Sequence, residues 1–124
     1  MSIFSHISFV SVPVTDIVRA RDFYRDKLGL RVLTDAPFGD SRWVLLEVAD
    51  SRTQIHLDDK PGRSVSKSRL ALPLVVHDLD EALEVLRDNG VEIVQEPKSA
   101  AWNPLVAYAL IRDSENNVLL VADG

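Results

Sequence analysis

The sequence predicts an α+β protein made of two βαβββ modules whose sheets enclose a central groove, with both helices outside. Two observations predict it. The first is the stretch Val12 to Gly29, which leaves a strand at Pro13, runs through one amphipathic helix and stops at glycine. The second is its recurrence. Asp16, Ala20, Phe23, Tyr24, Arg25 and Asp26 have counterparts in Asp78, Ala82, Val85, Leu86, Arg87 and Asp88, each 62 residues later. A fixed offset with the same strand order around it marks a duplicated module. Each module leaves one sheet face uncovered by its own helix, and pairing the two faces buries them around a groove.

The elements follow in order. Residues 5–12 alternate as a strand, with Ile7, Phe9 and Ser11 on one face and Ser8, Val10 and Val12 on the other. Pro13 stands at the strand exit, where a missing N–H does least harm. A helix spans 16–28, capped by Thr15 or Asp16, with Ile17, Ala20, Tyr24 and Leu28 as its apolar stripe and Gly29 as its stop. Strands are expected at 30–34, 42–48 and 53–57, separated by the turn stretches 35–41 and 50–52. Residues 59–69 are polar, aperiodic and carry Pro61-Gly62, which reads as a linker between a first module at 1–58 and a second at 70–124. The second module repeats the order. A strand at 70–76 precedes a helix capped by Asp78 with Glu81 three residues on, and Asn89-Gly90 ends that helix. Strands at 92–95, 105–112 and 117–122 complete it.

Composition narrows the function classes. The 124 residues carry a net charge of −5, which argues against nucleic acid, whose phosphates reward clustered Lys and Arg. No run approaches the roughly 20 apolar residues that span a bilayer. No basic, then apolar leader opens the chain, so the expected location is the cytoplasm. With no cysteine there is neither disulfide nor thiolate chemistry.

The run Val12-Pro13-Val14-Thr15-Asp16, the run Phe23 to Gly29 and the clusters Pro37-Phe38-Gly39 and Arg42-Trp43-Val44 form one pattern. It ends in Asp113-Ser114-Glu115-Asn116-Asn117 before a last apolar strand. Together they resemble the vicinal oxygen chelate superfamily, which holds glyoxalases, bleomycin-resistance proteins and extradiol dioxygenases. The resemblance implies a curved half-open barrel of paired modules, a homodimer, and, in metal-dependent members, His or Glu ligands on the first and last strand of each module. Counted along this chain, those positions fall at Ile7, His56, Ala71 and Leu120. Only His56 carries a donor atom, and a catalytic metal takes about three protein ligands. The expectation is therefore no metal and no other cofactor. His6 and His77 read as local residues, exposed and beside a helix cap respectively.

The candidate ligand-binding residues are Ile7, Phe9, Phe38, Trp43, His56, Trp102 and Leu120. Ile7, Phe9 and Leu120 share the face of the lost ligand positions, which is mostly apolar and suits a hydrophobic ligand. Trp43 stands between the second and third strands of its module. Trp102 lies in the stretch 96–104 with proline at both ends, where a large aromatic can overhang a groove, and Phe38 is its counterpart. Arg42 and Arg112, at the ends of comparable strands, read as surface arginines first, with an anionic group at the rim as the alternative. The reading is a metal-independent protein of the bleomycin-resistance type that binds a small apolar or aromatic molecule. The alternative is a divergent metal-dependent lyase or dioxygenase, and a third is an interaction module with an empty groove.

Overall fold

The computed structural model describes residues 2–60 and 72–124, which fall into two compact units on either side of residues 61–71. Most of the expected linker, 61–69, lies outside the described residues, as does Ala71. The fold is α+β, with one open four-stranded mixed sheet in each unit.

The first unit contains β1 (Phe9–Pro13), α1 (Ile17–Asp22) continued by a π-helical turn (Phe23–Lys27), β2 (Arg31–Phe38), β3 (Ser41–Glu47) and β4 (Gln54–Asp58). Its sheet runs β1-β4-β3-β2, with β1 parallel to β4 and the other pairs antiparallel. The Asp16 carboxylate caps α1 by accepting from the Arg19 N–H at 3.0 Å. Gly29, at a φ of 77°, supplies the left-handed turn that leads the chain back. Ile17, Ala20 and Tyr24 are buried against the sheet face built from Val12, Val44, Leu46, Ile55 and Leu57. The predicted stripe therefore faces the core, except that Leu28 is only half-buried.

The second unit contains β5 (Pro73–Val75), α2 (Leu79–Asp88), β6 (Ile93–Ala100), β7 (Asn103–Arg112) and β8 (Val118–Ala122). Its sheet order, β5-β8-β7-β6, repeats the first, again with the outer β5–β8 pair parallel. Asp78 caps α2 through the Glu81 N–H at 3.0 Å, and Leu79 and Leu83 are buried with α2 packed on β6 and β7.

Three expectations need correction. The first strand starts at Phe9 rather than residue 5, so Ile7 lies two residues before β1 and is 64% exposed. The strands β2 and β6 run on through Pro37 and Pro97, where turns were expected. Both are edge strands, and a proline there sacrifices no ladder bond on its outward side. Finally, the Arg42 guanidinium is engaged within the protein rather than held for an anionic ligand. Strand alternation puts its side chain on the helix-covered face with Val44 and Leu46, and its Nε donates to Asp35 Oδ1 at 2.6 Å.

Asp35 also accepts from Arg21 Nη1 of α1 at 2.7 Å, so one carboxylate ties α1 to β2 and β3. The Arg42 hydrogen bond, and after it that of Arg21, holds the Asp35 carboxyl below the usual carboxylate range. Asp35→Asn is expected to cost about 1 kcal/mol at neutral pH, the upper range for a half-exposed pair set in a network. A depressed folded-state pKa contributes stability above the unfolded pKa and loses it as pH falls through the folded value. Urea unfolding should therefore separate wild type from variant at neutral pH, and the gap should close in acid below the ordinary carboxylate pKa. An equal gap at both ends would contradict this role.

Candidate functional site

The face of the first sheet turned away from α1 carries the candidate site. Alternation along β1 puts Phe9 and Ser11 on that face, opposite Val10 and Val12. The parallel register pairs Ser11 with His56, and the antiparallel register pairs Leu45 with His56. Three strands therefore bring Phe9, Ser11, Trp43, His56 and Asp58 to one side of the sheet.

The rings form a continuous wall. The indole of Trp43 stacks on the His56 imidazole with centroids 4.0 Å apart and planes tilted by 31°. Phe9 meets Trp43 edge-on at 5.7 Å and His56 at 5.2 Å, and Phe38 meets Trp43 edge-on at 5.6 Å. Edge-to-face and offset contacts of this kind hold rings rigidly in place. Trp43 is the hub, touching all three other rings. His56 is 5% exposed, and its Nδ1 shares a hydrogen bond of 3.0 Å with Ser11 Oγ, which fixes the plane of the imidazole.

Beside this wall lies an open cleft of about 210 Å³, lined by Phe38, Trp43, His56 and Leu57 and by a polar lip. The β2–β3 hairpin builds one side of the lip. Gly39, at a φ of 61°, makes the tight turn that presents Asp40 and Ser41, and Arg42 follows them in the lining. The end of β4 builds the other with Asp58, Asp59 and Lys60. The Ser41 hydroxyl donates to the Asp59 carboxylate at 2.6 Å and fastens the two sides together. The Lys60 ammonium lies 5.7 Å from the centroid of the Phe38 ring, a cation–π contact. Cleft volumes for drug-sized ligands are roughly 300–1,000 Å³, so this one accommodates a flat fragment and leaves the remainder of a larger molecule outside.

Of the seven candidate residues, the structure brings Phe9, Phe38, Trp43 and His56 together. Ile7 is not among them. It precedes β1, and its carbonyl accepts from the Thr53 hydroxyl at 3.0 Å. Trp102 and Leu120 belong to the second unit. Trp102 occupies the two-residue turn between β6 and β7 rather than a long loop; it is 60% exposed, with its ring 5.2 Å from Tyr108. Leu120 packs on the apolar cluster of Val106, Tyr108, Leu110 and Ala122. Arg112, the second rim arginine, is paired with Glu92 at 2.8 Å. Sequence reasoning missed the lip. Asp40 read as a turn residue and Asp58 and Asp59 as the start of the linker, and only the pairing of β3 with β4 puts them beside the rings.

The donor set does not fit a divalent metal. A catalytic cation needs about three nitrogen, oxygen or sulfur ligands. Of the four positions the resemblance assigns, Ile7, Ala71 and Leu120 are hydrocarbon and only His56 carries a donor atom. Among the described residues no group of three or more His, Cys, Asp or Glu side chains gathers in a metal-holding arrangement. Nor is any described helix long and apolar enough to cross a membrane.

Known proteins share this fold. The chain is similar to TnmS3, an antibiotic binding protein from Streptomyces sp. CB03234, with 29% identity and a TM-score of 0.85 over 99% of this chain and 98% of that one. It is similar to UcmS2, with 27% identity and a TM-score of 0.86 over 98% of this chain and 100% of that one. The YetH protein of Bacillus subtilis (strain 168) is 28% identical over 94% of this chain and 97% of its own length. The family model for the Glyoxalase/Bleomycin resistance protein/Dioxygenase superfamily matches residues 4–121, and the chain belongs to that superfamily.

Proposed function

We propose that this protein binds a small, flat, largely apolar or aromatic molecule without a metal, holding it against Trp43 in the cleft of the first unit. The observation that carries the reading is the wall of four rings at that cleft, in a chain whose four metal positions hold isoleucine, alanine, leucine and a single histidine. Aromatic walls bind flat molecules through stacking and expulsion of water from apolar surface. The antibiotic-binding neighbour TnmS3 supports the same reading, and antibiotic sequestration is one form it takes. A homodimer is part of the proposal, since a cleft of this size needs a further surface to cover a larger ligand.

Thermal-shift screening against polycyclic aromatic antibiotics and metabolites tests the proposal. A ligand that binds only the folded state raises the melting temperature by mass action, with about 2.7 kcal/mol of stabilisation at a hundred-fold excess over Kd. The expected result is a set of hits confined to planar aromatics and unchanged by a chelator. Tightly held stoichiometric metal in the purified protein, or hits abolished by the chelator, would favour the divergent metal-dependent enzyme instead. A broad library without a hit would favour an interaction module.

A further inference from the structure

The helix α2 closes on the dipeptide Asn89-Gly90, which is both a stop signal and a reactive pair. The stop is well made. Asn89 stands at the C-cap with φ −82° and ψ −1°, and Gly90 takes a φ of 84°, which a residue without Cβ adopts freely. The Gly90 N–H donates to the Arg87 carbonyl at 3.0 Å, and the Val91 N–H donates to the Leu86 carbonyl at 2.9 Å. These are the two bonds of a Schellman cap, and Val91 is buried just beyond it.

The reactivity comes from the same two residues. An asparagine amide carbon lies one five-membered ring away from the backbone nitrogen that follows it, and a following glycine has no Cβ to crowd the ring closure. Gly90 N bonds to Asn89 Cγ, the Cγ–Nδ2 bond breaks, and Nδ2 leaves as ammonia with the proton that Gly90 N gave up. Water then opens the succinimide at either carbonyl and leaves aspartate or isoaspartate at position 89. The chain has three other asparagines, and none meets these terms. Asn103 precedes a proline, whose nitrogen carries no proton, and Asn116 and Asn117 precede residues whose Cβ crowds the attack. Asn117 is also buried, with its Nδ2 donating to Asp113 Oδ2 at 3.0 Å. Asn89 and Gly90 are both exposed.

We infer that Asn89 is a site of spontaneous deamidation and that the cap of α2 is the gate that sets its rate. While the cap holds, the Gly90 nitrogen keeps its proton in the bond to Arg87, and ring closure has to wait. Helix ends fray before the rest of the element opens, and each opening releases that nitrogen. The product then opposes reclosure. Aspartate adds a carboxylate beside Asp88 at the negative end of the helix dipole. Isoaspartate inserts a methylene into the backbone ahead of Gly90 and draws Val91 out of its buried place. The second unit therefore loosens with age from the end of α2.

The test is to hold the full-length protein in mildly alkaline buffer and map its digest by mass, beside the free peptide of residues 84–95. Conversion of amide to acid is expected at Asn89 alone, about tenfold slower than in the peptide, the factor for a local opening of about 1.4 kcal/mol. Asp88→Lys puts a cation in the last turn, and it should slow the protein about twofold or more while leaving the peptide of the same sequence unchanged. The converted fraction, separated by its extra negative charge, should unfold at lower urea than the unconverted protein. A peptide that converts while the protein does not, or conversion of the other asparagines at the same rate, would overturn the site. Equal rates in protein and peptide, or an Asp88→Lys protein no slower than wild type, would overturn the gate. Equal urea midpoints for the two fractions would overturn the loosening.

Discussion

Replacing Trp43 with alanine is expected to weaken aromatic ligand binding about thirty-fold, a loss of about 2 kcal/mol, the scale of a buried aromatic hot spot. The geometry gives the reason. Trp43 touches His56, Phe9 and Phe38, and the other rings are ordered around it. Its removal takes away a stacking surface and also loosens the imidazole and both phenyl rings, so the ligand must order them again on binding. Trp43→Phe keeps a ring and should lose less than tenfold. His56→Gln is the informative companion. It removes the second stacked ring but preserves a polar partner for Ser11, and a smaller loss than for Trp43→Ala is expected. The measurement is titration of one planar ligand into each variant after circular dichroism has shown it folded. Trp43→Ala binding as tightly as wild type would rule out the cleft as the site.

Most of the fold was legible because its signals are local. Helix caps at Asp16 and Asp78, glycine stops and apolar stripes are written within a few residues of where they act. The long hairpins were not. Pro37 and Pro97 read as strand breakers, and nothing near them in sequence shows that their strands lie at sheet edges, where a missing N–H is harmless. The site divides in the same way. Trp43, His56, Phe9 and Phe38 stand out as aromatics on strands or turns. That Ser11, not Ile7, meets His56 follows from parallel pairing between residues 45 apart, which no local pattern specifies. A shift of one pairing changes which side chains share a face. The same long-range pairing gathers Asp40, Asp58 and Asp59, so the lip was invisible until β3 lay beside β4.

The first unit itself is expected to depend most on Tyr24, and Tyr24→Ala should cost about 3–5 kcal/mol. The side chain is fully buried, and it lies on the π-helical turn that carries α1 toward β2. Its carbonyl accepts from the Leu30 N–H at 3.0 Å, and its ring meets Phe23 edge-on at 5.6 Å. Six residues of α1 cannot hold a helix alone, so packing through Ile17, Ala20 and Tyr24 must supply its stability. Truncation leaves a cavity beneath the helix that the short element can fill only by shifting, and the loss is a large share of a typical total of about 5–15 kcal/mol. Tyr24→Phe keeps the ring and should cost about 1 kcal/mol. Urea unfolding in a Trp102→Phe background follows the first unit through Trp43 fluorescence. A midpoint for Tyr24→Ala within 1 kcal/mol of wild type would show that the sheet stands without its helix. The aromatic wall sits on the opposite side of that same sheet, on β1, β3 and β4. Loss of Tyr24 is therefore expected to abolish ligand binding at temperatures where the Trp43→Ala protein is still folded.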